Sequence, residues 1–375
     1  YKVKMYDYPK MQMAGGKRSL REFDIEELLF RAPRKLTNEK TDAYYNDKVI
    51  LVTGGGGSIG SELCRQIVKM GPKKLIILDV YENGAYDLQQ ELRIAYGNEP
   101  GISVEIASIT DSKAMERVFS KYHPQIVINA AAHKHVPLME NNCIEAINNN
   151  VFGTAVVVEM CEKYGAERFM MVSTDKAVNP TNVMGATKRM CEMIVQSASI
   201  NGKVKYSATR FGNVLGSAGS GIPLFKRQIQ NGGPITLTDK RIIRYFMTIP
   251  EAVSLVLLAG TYAKGGEIFV LDMGEPVKID TLARNLIRLS GYKPDVDIKI
   301  VYSGLRPGEK LYEEKLMAEE GLKKTKNDLI HIGCPIPFDV EEFLEELDGL
   351  LEAAYKNRDD MKERVEKVVS TYHPA

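Results

Sequence analysis

The sequence predicts an α/β fold in which a doubly wound parallel sheet carries a smaller second lobe. Short, continuously apolar runs rich in β-branched residues recur from residue 49 onward: Val49–Thr53, Leu75–Leu78, Val104–Ala107, Ile126–Ala130 and Phe169–Ser173. Segments with helical periodicity lie between or after these runs: Ser61–Met70, Ala85–Ala95, Lys113–Lys121, Glu145–Tyr164 and Lys188–Ser199. Strands that are apolar on both faces and alternate with helices indicate a parallel sheet covered on both sides. Right-handed crossovers then give the doubly wound topology.

Differences in composition and hydrophobic pattern divide the chain into four segments. Residues 1–46 form a lead-in with one short amphipathic stretch at Ile25–Phe30. Residues 47–210 form the predicted core, whose elements continue beyond residue 210. Residues 211–336 are rich in glycine and proline and mainly form the smaller lobe, while residues 337–375 have an acidic helical pattern.

Composition excludes several classes of protein. Hydrophobic residues make up 44% of the chain and charged residues 26%, which is typical of a soluble globular protein. Because 50 basic residues balance 49 acidic ones, binding to nucleic acid through its phosphates is disfavoured. No apolar run approaches the roughly 20 residues of a membrane helix. The 5 cysteines and 5 histidines show no CxxC or zinc spacing, so we expect reduced thiols and no metal.

A glycine-rich turn directly after the first predicted strand indicates a dinucleotide site of the Rossmann type. Gly54 permits the tight turn, Gly57 allows the backbone to approach a pyrophosphate, and Gly60 allows close packing of helix on strand. Amides at the start of the helix would face the phosphates. A P-loop is excluded because no GK[ST] follows. The candidate contacts of this turn are Gly54, Gly57, Ser58, Ile59 and Gly60.

The second predicted strand ends in an acid, Asp79, that can accept hydrogen bonds from the adenosine ribose. A carboxylate here repels an additional 2′-phosphate, and no Lys or Arg between Val80 and Gln90 offsets it. The sequence therefore favours NAD over NADP. The ends of the third and fourth strands complete the predicted cofactor site with Ser108, Ile109, Ala130 and Ala131.

The TGxxGxxG spacing resembles that of the extended short-chain dehydrogenase/reductase family. That family places a Ser or Thr after the fifth strand and a Tyr-x-x-x-Lys on the next helix. In this chain Thr174 follows the fifth strand, and Lys188 matches the lysine that binds the nicotinamide ribose. The position of the tyrosine is occupied by Met184, whose thioether cannot transfer a proton.

Two interpretations of Met184 compete. The protein could be a catalytically dead module that senses NAD, or other groups could perform the acid–base chemistry. Asp175 and Lys176 favour the second, because a carboxylate and an amine at the carboxyl end of a strand can divide the roles of acid and base.

Longer motifs resemble the large, membrane-anchored UDP-N-acetylglucosamine 4,6-dehydratases of bacterial surface-glycan synthesis, the branch in which Met replaces Tyr. The matching runs are Ser173–Ala177, Asn179–Asn182, Met184–Arg189, Asn129–Pro137, Arg210–Ser217, Arg244–Thr248 and Arg306–Lys310. The resemblance implies a hydro-lyase that forms a UDP-linked 4-keto-6-deoxy sugar with the configuration at carbon 5 retained. The nearest rival, a UDP-sugar 4-epimerase, needs the missing Tyr. Ala218 departs from the family pattern, where a larger polar residue is expected.

The resemblance also implies partners and a location. Family members pair as homodimers through two helices per subunit and carry transmembrane helices ahead of this region. The chain begins at Tyr1 rather than Met. We therefore expect the full-length protein at the cytoplasmic face of the bacterial inner membrane, attached through a segment absent from this chain, and this fragment to be soluble.

The reaction assigns roles to the acid and the amine. Once carbon 4 is a ketone, Lys176, if neutral in a desolvated pocket, is the better base for the carbon 5 proton. Asp175, when protonated, would supply the proton that the departing hydroxyl on carbon 6 takes. Thr174 would hold the oxygen on carbon 4. The acceptor of that hydroxyl's proton stays open between Asp175 and a water through Thr174.

A second group of residues is expected to hold the UDP-sugar. Guanidinium groups suit diphosphate oxygens, and the resemblance favours Arg306 most strongly. The Ile235–Thr238 strand is expected to give backbone bonds to the uracil. The candidate substrate residues are Lys134, His135, Glu140, Asn213, Arg244, Arg306 and Lys310.

Overall fold

The structure, a computed structural model, describes residue 36 and residues 39–97, 101–313 and 321–374. The predicted amphipathic stretch Ile25–Phe30 and most of the lead-in lie outside these residues. The strands are β1 (Val49–Thr53), β2 (Lys74–Asp79), β3 (Gly101–Ile106), β4 (Ile126–Asn129), β5 (Arg168–Val172), β6 (Lys205–Arg210), β7 (Asn213–Val214), β8 (Ile235–Leu237), β9 (Ile243–Met247), β10 (Glu267–Leu271), β11 (Pro276–Lys278), β12 (Ile300–Tyr302), β13 (Lys323–Lys324) and β14 (Ile330–Ile332).

Helices cover both faces of the main sheet and one side of the second lobe. They are α1 (Glu39–Tyr45), α2 (Ser58–Val68), α3 (Glu82–Tyr96), α4 (Ser112–Tyr122), α5 (Val136–Asn141), α6 (Cys143–Ala146), α7 (Gly153–Tyr164), α8 (Val183–Asn201), α9 (Gly221–Gln230), α10 (Ile249–Tyr262), α11 (Ile279–Leu289), α12 (Val340–Tyr355) and α13 (Met361–Val368). A π-helical stretch, Ile147–Phe152, joins α6 to α7, so the predicted helix Glu145–Tyr164 is divided.

The main sheet confirms the predicted doubly wound fold. Its strand order is β13-β14-β10-β6-β5-β4-β1-β2-β3, and the strands from β10 to β3 are all parallel. One apolar core packs α4, α7, α8, α12 and α13 against one face, and a second packs α1, α2, α3 and α10 against the other. The carboxyl ends of the strands therefore open at one edge, where ligands bind in such folds.

The main domain also includes elements from two segments that were predicted to lie outside the core. Strand β10 and helix α10, which fall inside the segment expected to form mainly the smaller lobe, belong to the main sheet and its covering layer. Helix α1, which falls in the predicted lead-in, docks on α10 because the buried Tyr45 hydroxyl donates a hydrogen bond of 2.7 Å to Leu257 O.

The second lobe is built from two small sheets and two helices. Strands β11, β9 and β7 form one sheet, β12 and β8 form the other, and α9 and α11 pack against them over a separate apolar cluster. Strand β7 follows β6 after two residues, so the lobe begins at the carboxyl edge of the main sheet. A hydrogen bond of 2.9 Å from Ala218 N to Ser58 Oγ joins the lobe to the start of α2.

The predicted C-terminal helices are present as α12 and α13. Their apolar faces, including Phe343, Leu347 and Val365, belong to the same core cluster as α8. Within the described residues, no helix is long and apolar enough to cross a membrane.

Candidate active site

The glycine-rich turn has the geometry that a dinucleotide requires. Gly54 has a φ of +65°, and a Cβ at this position would lie 2.7 Å from Ala131 N. A Cβ at Gly60 would overlap Gly54 O, so only glycine allows α2 to approach the turn this closely. The turn, β1 and the chain after β4 therefore meet at one point.

Helix α2 presents free amides at its start. Ser61 N is the first amide to use a helical acceptor, Gly57 O at 2.8 Å, so the amides of Ser58, Ile59 and Gly60 precede the first intrahelical bond. Such amides, together with the helix dipole, form an anion site that suits a pyrophosphate. The amide of Gly57 donates to Gly54 O at 3.1 Å and closes the turn.

Asp79 is fixed beside this turn at the end of β2. Its Oδ2 accepts a hydrogen bond of 2.8 Å from Gly56 N, and its Oδ1 accepts one of 2.9 Å from Tyr81 N. Each oxygen keeps a second lone pair for a ribose hydroxyl. Ser108 lies after β3 with its hydroxyl 2.7 Å from Thr110 Oγ1, and Ile109 is buried.

Thr174, Asp175 and Lys176 form one hydrogen-bonded cluster just after β5. Asp175 Oδ1 accepts a bond of 2.8 Å from Thr174 Oγ1 and one of 3.0 Å from Lys176 Nζ. Asp175 is only 2% exposed, and among the described residues its Oδ2 finds no hydrogen-bond partner. A buried carboxylate oxygen without a protein partner is costly unless a ligand or a proton satisfies it.

A third ionisable group, Glu313, completes the cluster. Its Oε1 lies 3.2 Å from Lys176 Nζ and 3.3 Å from Arg244 Nε. Burial disfavours the charge on Lys176, but Asp175 and Glu313 outweigh it and raise its pKa to about 12. The two carboxylates therefore favour the ammonium form of Lys176 over the neutral amine that a base requires. Burial raises the pKa of Asp175, although Lys176 opposes the shift.

A buried ion pair places the cluster of Thr174, Asp175 and Lys176. Glu192 on α8 is fully buried, receives a bond of 2.7 Å from Ser173 Oγ, and binds Arg210 through Nε and Nη2 at 2.7 Å each. Ser173 directly precedes Thr174, and Arg210 is the last residue of β6. One side chain of α8 thus ties the ends of β5 and β6 together.

Met184 and Lys188 lie on α8 with different environments. Met184 is 4% exposed and packs in an apolar cluster with Met139, Ala146 and Val183, so it acts as a packing residue. Lys188 is 6% exposed, and within the described part of the chain its amine makes no hydrogen bond or ion pair. In a residue that is this little exposed, an amine without a protein partner is suited to a ligand oxygen.

A cavity of about 280 Å³ lies in the second lobe beside the cluster. Two of its lining residues carry buried polar atoms, Asn213 Nδ2 and Ser220 Oγ, that lack hydrogen-bond partners among the described residues. Arg306 also lines the cavity. Within the part of the chain that the structure describes, no acceptor pairs with its guanidinium group. Arg244 lines the cavity and contacts Glu313, so cavity and catalytic cluster are contiguous.

Three of the residues expected to hold substrate have other partners. Arg244 donates to the carbonyls of Ile243, Lys310 and Leu311 at 2.7–3.1 Å, so it anchors the loop that follows β12. Lys310 Nζ donates to Asn179 O at 3.0 Å. Glu140 accepts from Val183 N at 2.5 Å and pairs with Lys362 at 3.0 Å, because it caps the start of α8. All three hold loops or helix ends in place.

Lys134 and His135 lie on the exposed loop between β4 and α5. The buried side chain of Asn150 holds this loop, since it accepts from His133 N at 2.7 Å and donates to His133 O at 3.1 Å. The imidazole of His135 lies against Gly219, where a Cβ would be 2.6 Å from its Cε1. Both candidates therefore stand at the junction of the two lobes.

Comparison with known proteins agrees with this architecture. The family described as polysaccharide biosynthesis protein matches residues 50–334. The chain belongs to this family. The capsular polysaccharide biosynthesis protein CapD of Staphylococcus aureus is 54% identical over 303 residues, which are 80% of this chain and 50% of CapD. The chain spans about half the length of the curated relatives it matches first, with shares of 50% and 57%.

Relatives with other names are similar at lower identity. An inverting UDP-N-acetylglucosamine 4,6-dehydratase of Campylobacter jejuni is 34% identical over 74% of this chain and 79% of its own. A UDP-glucose 4-epimerase of Rickettsia rickettsii is also 34% identical, over 74% and 80%. The solved structure of Pen from Bacillus thuringiensis superposes with a TM-score of 0.71 at 30% identity, over 82% of this chain and 99% of Pen.

Sequence reasoning missed Glu313, Glu192 and Ser220. Glu313 comes three residues after the quoted run that ends at Lys310, and Glu192 comes one turn of helix after Lys188. Their proximity to recognised motifs was the available indication. Sequence spacing cannot show that a loop of the second lobe returns to β5.

We expect Asp79→Ala to weaken NAD binding about tenfold or more, because hydrogen bonds to a charged group contribute roughly 1.5–3 kcal/mol. The preference for NAD over NADP should narrow, since the repulsion of a 2′-phosphate is lost. Calorimetric titration of both dinucleotides measures this, with Asp87→Ala, an exposed carboxylate on α3, as control. Tighter binding of NADP than of NAD by the unaltered protein would overturn the role given to Asp79.

Proposed function

We propose that this protein is a nucleotide-sugar 4,6-dehydratase, a hydro-lyase that acts on UDP-N-acetylglucosamine with NAD. The product would be the UDP-linked 2-acetamido-2,6-dideoxy-4-keto sugar with the configuration at carbon 5 retained. The observation that carries the proposal is the buried Asp175–Lys176 pair after β5, opposite a helix in which Met184 stands at the tyrosine position. The name of the Campylobacter relative supports the same reaction class.

The residues around the glycine-rich turn fit a nicotinamide dinucleotide. The amides of Ser58, Ile59 and Gly60 would bind its pyrophosphate, and Asp79 would bind the adenosine ribose. The unpaired amine of Lys188 would bind the ribose of the nicotinamide. When bound, the nicotinamide supplies one chemical capability, acceptance of hydride from carbon 4 and its return to carbon 6.

Thr174 and Asp175 are suited to the proton of the carbon 4 hydroxyl. With Lys176 as an ammonium, Asp175 can be a carboxylate that accepts this proton directly or through the Thr174 hydroxyl, which already donates to it at 2.8 Å. Asp175 then holds the proton that the carbon 6 hydroxyl needs to leave as water. Burial raises the pKa of Asp175, which favours its role as a general acid.

Lys176 is suited to remove the proton from carbon 5 once its ammonium group has lost a proton. Its side chain is 18% exposed, so solvent can accept that proton before the sugar binds. Burial is the largest influence on the Lys176 pKa and acts to lower it, and a bound sugar that excludes water would add to this effect. The same amine can return the proton to one face of carbon 5, which fits retention of configuration.

The cavity of the second lobe is suited to the UDP part of the substrate. Arg306 offers a guanidinium for the diphosphate, and the unpaired Asn213 Nδ2 and Ser220 Oγ offer polar contacts. Lys134 and His135 remain candidates for the sugar end. Strand β8 lines the cavity at Thr236 and Leu237, where the uracil would lie.

A 4-epimerase is the second candidate, because relatives with that name are similar over the same share of the chain. An epimerase of this fold would need a proton-transferring side chain at Met184, which instead packs among apolar residues. The homodimer, the inner-membrane location and the role in surface-glycan synthesis stay predictions from the family resemblance.

Incubation of the protein with UDP-N-acetylglucosamine and catalytic NAD should convert the substrate to a product lighter by one water. Because the hydride is returned in each cycle, we expect no lasting rise in the absorbance of reduced nicotinamide. Mass spectrometry of the sugar nucleotide measures the first, and absorbance the second. A product of unchanged mass would indicate the epimerase, and stoichiometric reduced cofactor a simple dehydrogenase.

Substitutions in the cluster should separate the roles of its members. Lys176→Met should abolish dehydration and the entry of solvent deuterium at carbon 5, because the base is lost. Asp175→Asn should slow dehydration roughly 10²–10⁴-fold, the usual contribution of a general acid. Met184→Leu, the matched control, should cost far less, since it replaces packing of similar volume.

These rates are measured with the same mass assay and by deuterium incorporation. The assignment fails if Lys176→Met dehydrates at a near-normal rate while Met184→Leu is inactive. In that case the base lies elsewhere, and His135 is the next residue to test.

A further inference from the structure

Glu313 is the only described residue that contacts both Lys176 and Arg244 with one carboxylate oxygen, at 3.2 Å and 3.3 Å. Its side chain is 5% exposed, and that of Arg244 is 10% exposed. The contact is therefore not a solvated surface pair, whose partners gain little from each other. It joins a loop of the second lobe to the amine of the catalytic cluster.

Arg244 fixes Glu313 in this position. Its guanidinium donates to Lys310 O at 2.7 Å and to Leu311 O at 3.1 Å, which are carbonyls of the residues just before Glu313. Its Nε faces Glu313 itself. Since Arg244 belongs to β9, the loop is held by a rigid element and brings its carboxylate to Lys176.

The charges around Lys176 are Asp175 on its own turn, Glu313 on the loop, and Arg244 on β9, with Lys310 acting on Glu313. Burial opposes the charge of Glu313, but Lys176 and Arg244 outweigh it and lower its pKa, so it is a carboxylate. Lys176 thus lies between two carboxylates that are themselves only 2% and 5% exposed. Each of them favours the ammonium over the neutral amine.

We propose that Glu313 is a positioning residue that holds Lys176 in its protonated form and so sets the pH range in which the lysine can act as a base. This inference rests on the proposed function for the role of Lys176 as base. The protonation of Lys176 itself can be measured without turnover. Asp175 supplies one carboxylate from within the cluster; Glu313 supplies the second from the other lobe.

Chemical modification of Lys176 tests the proposal, because only the neutral amine reacts with acetic anhydride. In the full chain at about pH 9, Glu313→Gln should accelerate acetylation of Lys176 by at least about tenfold, since one pKa unit changes the neutral fraction tenfold. Peptide mass spectrometry measures the rate relative to the exposed Lys113 of the same chain. As the pH is raised in the alkaline range, the rate of Lys176 acetylation should level off in Glu313→Gln, while that of the unaltered protein keeps rising. If the substitution only made Lys176 more accessible to the reagent, no such plateau would appear.

The matched control is Glu309→Gln on the same loop. Glu309 lies 3.9 Å from Arg244 and accepts from Thr238 Oγ1 at 3.1 Å, so its loss should leave the Lys176 rate within about twofold. Glu313→Asp keeps the negative charge but moves it away from Lys176. Its rate of Lys176 acetylation should lie between those of the unaltered protein and Glu313→Gln. If Glu313→Gln does not fold, as judged by circular dichroism, the Glu313→Asp rate decides.

The kinetic counterpart is the acidic limb of the kcat profile, which Glu313→Gln should move to lower pH by about one unit or more. An unchanged Lys176 acetylation rate in folded Glu313→Gln protein would overturn the inference. That result would leave the dehydratase proposal intact if the unaltered protein still removes water. Conversely, a protein that forms no 4-keto sugar can still show the acetylation shift, so the two failures are distinguishable.

Discussion

The buried ion pair between Glu192 and Arg210 is the interaction on which the geometry of the active site depends. Glu192 extends from α8 between the ends of β5 and β6, where it also accepts a hydrogen bond from Ser173. Ser173 directly follows β5 and Phe211 directly follows β6, and Phe211 O accepts a bond of 3.1 Å from Asp175 N. Breaking a buried ion pair of this kind by removal of one partner costs about 3–5 kcal/mol. The sheet edge and the helix that carries Lys188 are therefore fixed relative to each other.

The second lobe adds what the sheet edge lacks. The main sheet supplies the turn at Gly54, the cluster at Asp175 and the amine of Lys188. The lobe supplies the cavity with Arg306 and the carboxylate of Glu313. The bonds from Ala218 to Ser58 and from Lys310 to Asn179 hold the two parts against each other. The groups proposed for proton transfer and for substrate binding thus come from both parts, and Arg244 connects them.

Much of the fold follows from sequence because its determinants are local. The strand Val49–Thr53 has its predicted bounds, and the other early strands differ by only a few residues, since continuous apolar runs specify buried parallel strands. The helical stretch predicted at Glu145–Tyr164 begins two residues earlier, at Cys143, ends at Tyr164 as predicted, and contains a π-helical segment that the sequence pattern does not indicate. Strand β10 was not assigned to the main sheet, because a glycine-rich sequence around it resembles the second lobe.

Residues of the candidate site could be predicted where they belong to a sequence motif. They could not be predicted where the role of a residue depends on contacts that form only in the folded chain. Thr174, Asp175 and Lys176 meet as expected because they are neighbours in sequence. Arg244 also pairs with Glu313 and donates to loop carbonyls, and Glu140 also pairs with Lys362; only the folded chain brings these partners near. The ammonium state of Lys176 depends on Glu313, a partner from the other lobe. A sequence shows that a charge exists, but its pKa depends on what burial places beside it.

In the proposed reaction, the hydride taken from carbon 4 returns to carbon 6 of the same sugar. Turnover of UDP-N-acetylglucosamine deuterated at carbon 4, in ordinary water, tests this most directly. The account predicts a product lighter by one water that keeps the deuterium, now located at carbon 6 by nuclear magnetic resonance. Deuterium that stays at carbon 4 in a sugar of unchanged mass, or that leaves the sugar altogether, would contradict it.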